Sequence, residues 1–408
     1  MYLALSAEER LMLDGLRQFN DRVALPLEQE HAELFADERK KYDEMGRYVP
    51  ELLELKRMVR TASAKVGYYT LITDKELGGG GQGARMTFHI WELLNATYGP
   101  AHELPYDSVA HWATGPGPLL LGLSPGLREA IVPALMAGEK THCFVMSEPD
   151  AGSDPWMMKT RAVRDGDDWI INGSKMWISN APYADHAFLF VVTDPEAAAA
   201  RKGGISCFLT DTKAAGFAVD RPIRLFGEIG GHEGILSLTH LRLPKDHLVG
   251  ELGQGFKLAM AGVSTGRLFN CGRAVGSAQW ALKKAVQYSK ERVTFGRPIG
   301  DNQAVSFMLA ESAIEIYAAK HMGLHYAGLI EKGEPAIKEM AMAKAFATEM
   351  CFRVYDRAMQ VYGAMGLTNE THLHRGWQLA RAVRIADGTS EILRRTIAAR
   401  LFRGDLDF

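Results

Sequence analysis

The sequence has few cysteines, and they show no pairing pattern. Its 408 residues contain only Cys143, Cys207, Cys271 and Cys351, and no two of these are close together in the chain. Zinc knuckles and disulfide frameworks need numerous or closely spaced cysteines, so we expect neither, and no metal site. The cysteine usage predicts a protein of a reducing compartment, the cytoplasm.

The sequence also lacks an excess of charge of either sign. It contains 47 Lys and Arg residues against 49 Asp and Glu residues, a formal net charge of -2. Nucleic-acid binding is favoured by a strongly basic surface, so we do not expect it here. No apolar run approaches the ~20 residues that a membrane helix needs, and the start of the chain does not resemble a signal peptide. We therefore expect neither export nor a membrane anchor.

What is present changes in character twice along the chain. Residues 1–140 are rich in helix formers with helical apolar spacing, for example at Leu52, Leu55 and Val59. Residues 141–250 contain short β-branched or apolar runs, and helix formers return over 251–408. The sequence predicts an α+β, mainly α protein with an N-terminal helical domain, a central β-domain and a C-terminal helical domain. This order argues against an alternating βαβ dinucleotide fold.

Local patterns refine this prediction. Strands are expected at 169–171, 176–178, 188–192 and 205–209, and Asn172 with Gly173 predicts a tight hairpin turn between the first two. In the last third, apolar residues at alternating steps of three and four predict a buried helix face. That face consists of Met340, Ala343, Ala347, Met350, Val354, Ala358 and Val361.

Two polar segments of the β region are candidates for ligand binding. Residues 147–154 offer hydroxyls and backbone N–H groups that suit an anion or a polar ring, although such a composition alone favours an ordinary turn. Trp177 and Ser179 end a predicted strand, where a flat ring beside a hydroxyl suits a planar cofactor. Taken alone, a tryptophan at a strand end is more often part of the core.

Three segments of the last third also leave two interpretations open. Arg292 suits a pyrophosphate because its planar fork donates paired hydrogen bonds, but it also suits a helix C-terminus. Gly363 and Gly366 allow either a close backbone approach or a helix C-cap. Asp387 precedes the final helix, where it is either a base in a pocket or the N-cap.

Considered together, these segments resemble the acyl-CoA dehydrogenase family over essentially the whole chain. The specific motifs are Ser-Glu-Pro-Asp-Ala-Gly-Ser-Asp at 147–154, Lys-Met-Trp-Ile-Ser-Asn at 175–180 and Glu-Arg-Val-Thr-Phe-Gly at 291–296. The resemblance implies a C-terminal four-helix bundle, FAD as cofactor and a homotetramer with flavin at a subunit interface. It also implies an acyl-CoA substrate and an electron-transferring flavoprotein as electron acceptor.

The resemblance assigns roles to individual positions. The positions that match the family's FAD contacts are Phe144, Met146, Ser147, Gly152, Ser153, Trp177, Ile178, Ser179, Arg292, Thr294, Phe295, Gln303, Gln360, Val361, Gly363, Ala364, Thr389 and Glu391. Those that match substrate contacts are Ser153, Arg267, Ala386 and Gly388. Asp387 takes the place of the catalytic base, which removes the α-proton of the thioester while flavin N5 accepts the β-hydride. The product would be a 2-enoyl-CoA.

The sequence departs from the common family motif at the base. Ala386-Asp387-Gly388-Thr389 replaces Tyr-Glu-Gly-Thr, which shortens the acid by one methylene and removes a ring. The resulting pocket suits a branched, cyclic or substituted acyl group. Asp at this position also resembles nitroalkane oxidase, so an oxidase of a carbon acid is an alternative function, and a non-catalytic flavin- or acyl-CoA-binding subunit is another. The sequence assigns no role to residues 31–59 and 226–233.

Overall fold

The computed structural model describes residues 5–407 and shows helices before and after a run of strands. The helices before the strands are α1 Ala7–Arg22, α2 Ala24–Glu30, α3 Ala32–Ala36, α4 Pro50–Lys65, α5 Ala84–Tyr98 and α6 Pro125–Met136. The central elements are β1 His142–Val145, β2 Arg161–Asp165, β3 Asp168–Ser179, β4 His186–Val192, α7 Pro195–Ala199, β5 Ile205–Asp211, β6 Phe217–Ile223, β7 Glu233–Leu243 and β8 Leu248–Val249. The remaining elements are α8 Gly255–Glu291, β9 Val293–Thr294, β10 Arg297–Pro298, α9 Gln303–Glu331, α10 Ile337–Tyr362, α11 Leu373–Val383 and α12 Ser390–Leu401. The predicted fold class is confirmed.

The chain forms two compact units, each assembled from separate segments. The helical unit comprises the described residues of Met1–Asn20, together with Gln82–Tyr106 and those of Thr265–Phe408. The sheet unit comprises Asp21–Gly81 and Asp107–Ser264. Both units therefore draw on more than one of the three sequence segments, and the domain boundaries at 140 and 250 stay a prediction.

The sheet unit contains an eight-stranded mixed sheet. The strand order is β6-β7-β3-β2-β4-β5-β8, and β1 pairs with β4 in parallel. β4 is buried along its whole length, as its run Phe188-Leu189-Phe190-Val191-Val192 predicts for a central strand. Because β1 and β3 both lie inside this sheet, the loop after β1 and the far end of β3 have fixed positions.

The predicted hairpin at Asn172 and Gly173 is wrong. Both residues lie inside the single strand β3, where the register against β7 shifts between Ile171 and Gly173. Gly173 has a positive φ of 152° and approaches Thr160 so closely that a Cβ would lie 2.5 Å from the Thr160 hydroxyl. The pair thus forms a β-bulge, which needs glycine for the same reason as a turn does. The actual tight turn lies two residues before β3, at Gly166, whose φ is 61°.

The helical unit is centred on α10. The predicted buried face of this helix is confirmed, since all seven of its members are buried. They pack into one apolar cluster with residues of α5, α8 and α9. At Gly376, a Cβ would lie 2.1 Å from the Tyr355 ring, so α11 approaches α10 at a position where only glycine fits.

The two segments without a role in the sequence pack against each other. The rings of Tyr42 and Tyr48 stack 5.2 Å apart, and Tyr48 stacks 4.6 Å from Tyr183. The Tyr183 hydroxyl donates to the Gly231 carbonyl at 2.7 Å. A Cβ on Gly230 would lie 1.9 Å from the Tyr42 ring. The aromatic residues of 31–59 therefore form a platform that covers the glycines of 226–233.

The structure also shows the state of the cysteines and whether any helix could cross a membrane. All four cysteines are buried and free, and burial raises the pKa of Cys271 and Cys351 to about 12. They are inert thiols rather than reactive ones. No helix within residues 5–407 is both long enough and apolar enough to span a bilayer.

Candidate active site

The Ser147 loop leaves β1 and is held against β3. The Met176 N–H donates to the Ser147 carbonyl at 3.0 Å, and the Lys175 ammonium donates to the Met146 carbonyl at 2.9 Å. Glu148 and Ala151 exchange two backbone hydrogen bonds and close a tight turn. The structure thus brings the 147–154 and 175–180 motifs together, and the Ser147 side chain is half-buried.

A buried ion pair fixes this junction. Lys175 Nζ lies 3.0 Å from Glu148 Oε1, and both side chains are almost completely withdrawn from solvent. Burial lowers the pKa of Lys175 to about 8, although the Glu148 charge opposes the shift. For Glu148, burial is outweighed by the Lys175 charge and by bonds from Thr160 and Lys159, so its pKa is lowered. Glu148 and Lys175 are structural residues that the motif contains in addition to its ligand-binding positions.

Trp177 is not a core residue. Its side chain is 51% exposed, and its φ of 66° lies in the left-handed region, which a bulky residue adopts rarely. The strain arises at a second irregularity of β3, between Lys175 and Ile178. Ile178 is buried and Ser179 half-buried. The bulge therefore presents a large flat ring outward from a rigid strand, which favours the cofactor-stacking interpretation over the core interpretation.

Asp387 lies in the turn before α12 but is not its N-cap. The N-cap is Thr389, whose hydroxyl accepts a hydrogen bond from the Ile392 N–H at 3.2 Å. Asp387 and Gly388 have positive φ values of 55° and 102°. A Cβ on Gly388 would lie 3.1 Å from Arg267 Nη2, so glycine permits the close approach as well as the backbone conformation. The capping interpretation of Asp387 is thus wrong.

Two residues of α8 hold this turn from one side. Arg267 Nε donates to the Asp387 carbonyl at 2.9 Å, and Asn270 Nδ2 donates to Asp387 Oδ2 at 2.7 Å. Asn270 is buried, and Arg267 is half-buried. The arginine that the resemblance assigns to CoA is therefore bonded to the backbone of the candidate base.

Lys344 of α10 holds the same turn from the other side. Its buried ammonium donates to the Ala386 carbonyl at 2.6 Å and to the Gly388 carbonyl at 2.7 Å. These two carbonyls flank Asp387. The Asp387 turn is thus bonded to two helices of the helical unit.

Burial and the neighbouring charges shift the pKa of Asp387 in opposite directions. Burial raises the pKa of Asp387, whereas the Lys344 charge, the Asn270 hydrogen bond and the charges of Arg267 and Arg273 lower it, and the net result is a raised pKa. Burial also lowers the pKa of Lys344 to about 8, which leaves it protonated at neutral pH. A carboxylate whose pKa is raised toward the working pH is a stronger general base than an ordinary aspartate.

The 291–296 motif forms the turn after α8. Arg292 is exposed, and the short strands β9 and β10 pair through Thr294 and Arg297. Phe295 at the tip has a φ of 52° and is fully exposed. Gln303 is an exposed residue in the first turn of α9. An apolar ring fully in solvent on a strained turn indicates a contact outside this chain's own core.

The glycines after α10 play both of the roles considered. Gly363 follows Tyr362, the last residue of α10, with a φ of 58°, so it ends the helix. Gly366 approaches the Met359 carbonyl so closely that a Cβ would lie 2.4 Å from its oxygen. Among the other predicted contacts, Gln360 is exposed and Val361 is buried.

The remaining predicted site residues differ in exposure. Those accessible to a ligand are Gly152, Ser153, Ala364, Ala386 and Glu391, which are all exposed. Met146 is buried, while the half-buried Phe144 ring packs 4.7 Å from Phe190 and 5.5 Å from Trp112. Phe144 and Met146 therefore belong to the apolar cluster beneath the Ser147 loop.

Sequence analysis missed two residues of the Asp387 cluster. Asn270 lies three residues after Arg267, a spacing that puts both on one face of α8. Lys344 interrupts the apolar face between Met340 and Ala347, where an ammonium needs buried partners. Both signals are present in the sequence, but they do not show which turn each side chain reaches.

Two family models match the sequence, and together they include all three motifs. Residues 143–235 match the acyl-CoA dehydrogenase middle domain, and residues 253–402 match the acyl-CoA dehydrogenase C-terminal domain. The chain belongs to the acyl-CoA dehydrogenase family. It is thus an oxidoreductase acting on acyl-CoA, and FAD is its cofactor.

Individual relatives cover most of the chain. The caffeyl-CoA reductase-Etf complex subunit CarC of Acetobacterium woodii is 34% identical over 364 residues, which cover 88% of this chain and 92% of that protein. The human mitochondrial short-chain specific acyl-CoA dehydrogenase is 38% identical over 287 residues, which cover 70% of this chain and 69% of that protein. The structure of a probable acyl-CoA dehydrogenase from Mycobacterium abscessus superimposes with a TM-score of 0.84 at 29% identity, covering 98% of this chain and 100% of that chain.

The residues present fit FAD within each unit. In the sheet unit, the exposed Trp177 ring and the Ser147 loop offer a flat surface beside hydrogen-bonding groups. In the helical unit, Arg292 and the fully exposed Phe295 offer a cation and a ring suited to a phosphate and an aromatic heterocycle.

Proposed function

We propose that this protein oxidises an acyl-CoA thioester to a 2-enoyl-CoA, with Asp387 as the base that removes the α-proton. The bonding of the Asp387 turn is the observation that carries the proposal. Asp387 has a strained backbone conformation and a raised pKa, its carboxylate accepts a hydrogen bond from α8, and its turn is bonded to α10 as well. These are the properties of a general base rather than of a cap. FAD, when bound, accepts the hydride lost from the β-carbon.

The chain's own residues have three tasks in this reaction. Asp387 receives the α-proton on its carboxylate, and its N–H group and that of Gly388 lie in the same turn, where a thioester oxygen gains from hydrogen-bond donors. Ser147, Trp177 and Ser179 would hold the flavin ring, and Arg292 and Phe295 would hold the phosphates and adenine half of a flavin bound mainly by a neighbouring subunit. Ala386 is exposed, and its small side chain leaves room for a branched or cyclic acyl group.

We further propose that electrons leave to an electron-transferring flavoprotein and that the chain assembles as a homotetramer. The first is supported by CarC, which is named as a subunit of an Etf complex. The second is supported by the outward face of α9, where Phe307, Ile314 and Tyr317 are each more than 60% exposed. These residues recur at steps of seven and three, so they form one apolar stripe that a second copy would cover.

The test of the function is an anaerobic titration of the FAD-loaded protein with straight, branched and cyclic acyl-CoAs, followed by flavin absorbance. We expect one class to bleach the flavin, and we expect Asp387→Asn to slow bleaching by about 10²- to 10⁴-fold while FAD stays bound. Asp356→Asn, an exposed acid on α10, is the matched control and should behave as the parent.

Other outcomes of this titration would point elsewhere. Bleaching by a nitroalkane and by no thioester would transfer the assignment to the carbon-acid oxidase. Full activity of Asp387→Asn would remove Asp387 from the mechanism.

A further inference from the structure

The turn that contains Asp387 is held by Lys344, whose ammonium bonds backbone carbonyls and forms no ion pair with a carboxylate within residues 5–407. Lys344 is completely buried, and its ammonium donates to the carbonyls of Ala386 and Gly388 at 2.6 and 2.7 Å. A buried ammonium without hydrogen-bond partners is costly, so these carbonyls stabilise the charge while the charge fixes the two peptide groups. Lys344 thereby bonds the chain immediately before and immediately after the candidate base.

This arrangement matters because the turn is strained. Asp387 has a φ of 55°, in the left-handed region that non-glycine residues occupy at a cost in free energy. Gly388 follows with a φ of 102°. Two charge-assisted bonds to the flanking carbonyls offset that cost and disfavour the extended alternatives, in which the two carbonyls would point apart. Without these two bonds, the backbone position from which the Asp387 side chain extends would no longer be fixed.

Among the described residues, the Asp387 carboxylate has one hydrogen-bond partner. The buried Asn270 amide donates to Oδ2 at 2.7 Å, and Oδ1 accepts no hydrogen bond from the part of the chain that the structure describes. An amide bound to one oxygen fixes the side-chain rotation and makes the two oxygens chemically different. The free oxygen, Oδ1, is then the one available to accept a proton.

We propose that Asn270 and Lys344 are positioning residues for Asp387, with Lys344 fixing the turn and Asn270 directing Oδ1 toward the α-carbon of the substrate. The proposal rests on the proposed function of Asp387 as the base. Neither residue exchanges a proton with the substrate. The α-proton is transferred to Oδ1, and the two donors keep their own protons throughout.

The charges around the turn give this proposal a measurable consequence. The groups that face Asp387 are Lys344 from α10 and Arg267, Asn270 and Arg273 from α8, and each of them lowers the pKa of Asp387. Two further titratable groups, Cys271 of α8 and Tyr326 of α9, interact electrostatically with Lys344 and Arg267 respectively. Loss of either positioning residue therefore raises the pKa of Asp387 and reduces the ionised fraction at low pH.

The first experiment compares Asn270→Leu and Lys344→Met with the parent holoenzyme in steady-state kinetics across pH. We expect kcat to fall by about 10- to 100-fold, because a hydrogen bond to a charged group is lost, while KM for the acyl-CoA stays within a few-fold. The acid limb of the kcat profile should move to higher pH by about one unit, the scale of one lost charge-assisted contact.

Lys338→Met is the matched control. Lys338 lies on α10 as Lys344 does, is equally buried, and donates to carbonyl and carboxylate oxygens of Asp405 at 3.2 and 2.7 Å. It serves the C-terminal segment rather than the Asp387 turn. We expect Lys338→Met to lose stability but to keep the pH profile and kcat of the parent.

A second readout does not depend on turnover. In the FAD-loaded protein without substrate, infrared difference spectra across pH follow the protonated carboxyl band of Asp387, which Asp387→Asn identifies by its absence. The band should persist to higher pH in Asn270→Leu and Lys344→Met than in the parent or Lys338→Met. Asn270→Leu nearly conserves side-chain volume, so it tests the positioning role even if Lys344→Met does not fold.

The outcomes separate the two proposals. Full turnover of Asp387→Asn would overturn the function of Asp387 and the positioning with it. An inactive Asp387→Asn beside a folded Asn270→Leu with the kcat, acid limb and carboxyl titration of the parent would overturn the positioning alone.

Discussion

Glu148 and Lys175 form an ion pair that is closed off from solvent, with 3.0 Å between Oε1 and Nζ. The same ammonium donates to the Met146 and Phe190 carbonyls, and the same carboxylate accepts from the Lys159 and Thr160 N–H groups. The pair thus joins the loop after β1 to β3, to β4 and to the two residues just before β2. The geometry of the Ser147 loop, which we propose to contact the flavin, therefore depends on this pair.

We expect Glu148→Gln and Lys175→Met each to lower the free energy of unfolding by about 3–5 kcal/mol, because each leaves a buried charge without its partner. The double variant should lose less than the sum of the two. Urea denaturation measures these values. The exposed pair of Asp150 and Lys159 in the same loop is the control, and Asp150→Asn should be close to the parent in stability because water screens the pair. Additive losses would show that the two residues act independently.

Asp387 should oppose stability at the pH at which it acts. Its pKa is raised in the folded state by burial, so its contribution to stability is fully present below the unfolded pKa and is lost as pH rises through the folded value. Asn cannot ionise, so Asp387→Asn does not lose stability in this way as pH rises. We therefore expect the Asn variant to gain thermal stability over the parent at neutral pH, and the gain to shrink in acid. A melting-temperature difference that is the same at every pH would contradict this explanation.

Phe295 should matter for the cofactor and not for the fold. Its side chain is fully exposed, so Phe295→Ser should leave the melting temperature of the apoprotein within about 1–2 °C, since surface changes alter stability by only about 0.5 kcal/mol. FAD should dissociate more readily, as measured by flavin fluorescence on dilution. Phe402 is the control because its ring is 89% exposed and lies outside the predicted site. Equal FAD retention in Phe295→Ser and Phe402→Ser would exclude a role of Phe295 in FAD binding.

Gly230 should be intolerant of any side chain. A Cβ there would overlap the Tyr42 ring, so we expect Gly230→Ala to cost about 1–3 kcal/mol of stability through overpacking. Gly126 near the start of α6 is the control, since a Cβ there meets nothing within 4 Å and Ala favours the helix. Urea denaturation should show Gly126→Ala to be as stable as the parent or more so. Equal stability of the Gly230 and Gly126 variants would show that 31–59 does not pack on 226–233 in solution.

Local sequence patterns predicted the parts of the fold that local forces control. The buried face of α10 follows from helical spacing, because apolar residues at steps of three and four share one face of a helix and are buried together when that face packs. The short apolar runs around Phe188 and Phe208 became central strands for a similar reason. Asn172 and Gly173 misled the prediction because a glycine with positive φ occurs in a bulge inside a strand as well as in a turn between strands, and only pairing with β7 distinguishes the two.

The sequence by itself determined the family, the fold class and the identity of the candidate base, because the motifs keep their residue types and order. Tertiary structure alone decided what surrounds that base. Lys344 lies 43 residues before Asp387 and Asn270 117 residues before it, and no local rule relates such positions. Their meeting depends on how α8 and α10 pack, which is a property of the whole apolar cluster and not of any segment. The same packing, and not the motif, makes Thr389 the N-cap of α12 and leaves Asp387, the proposed base, outside the cap position.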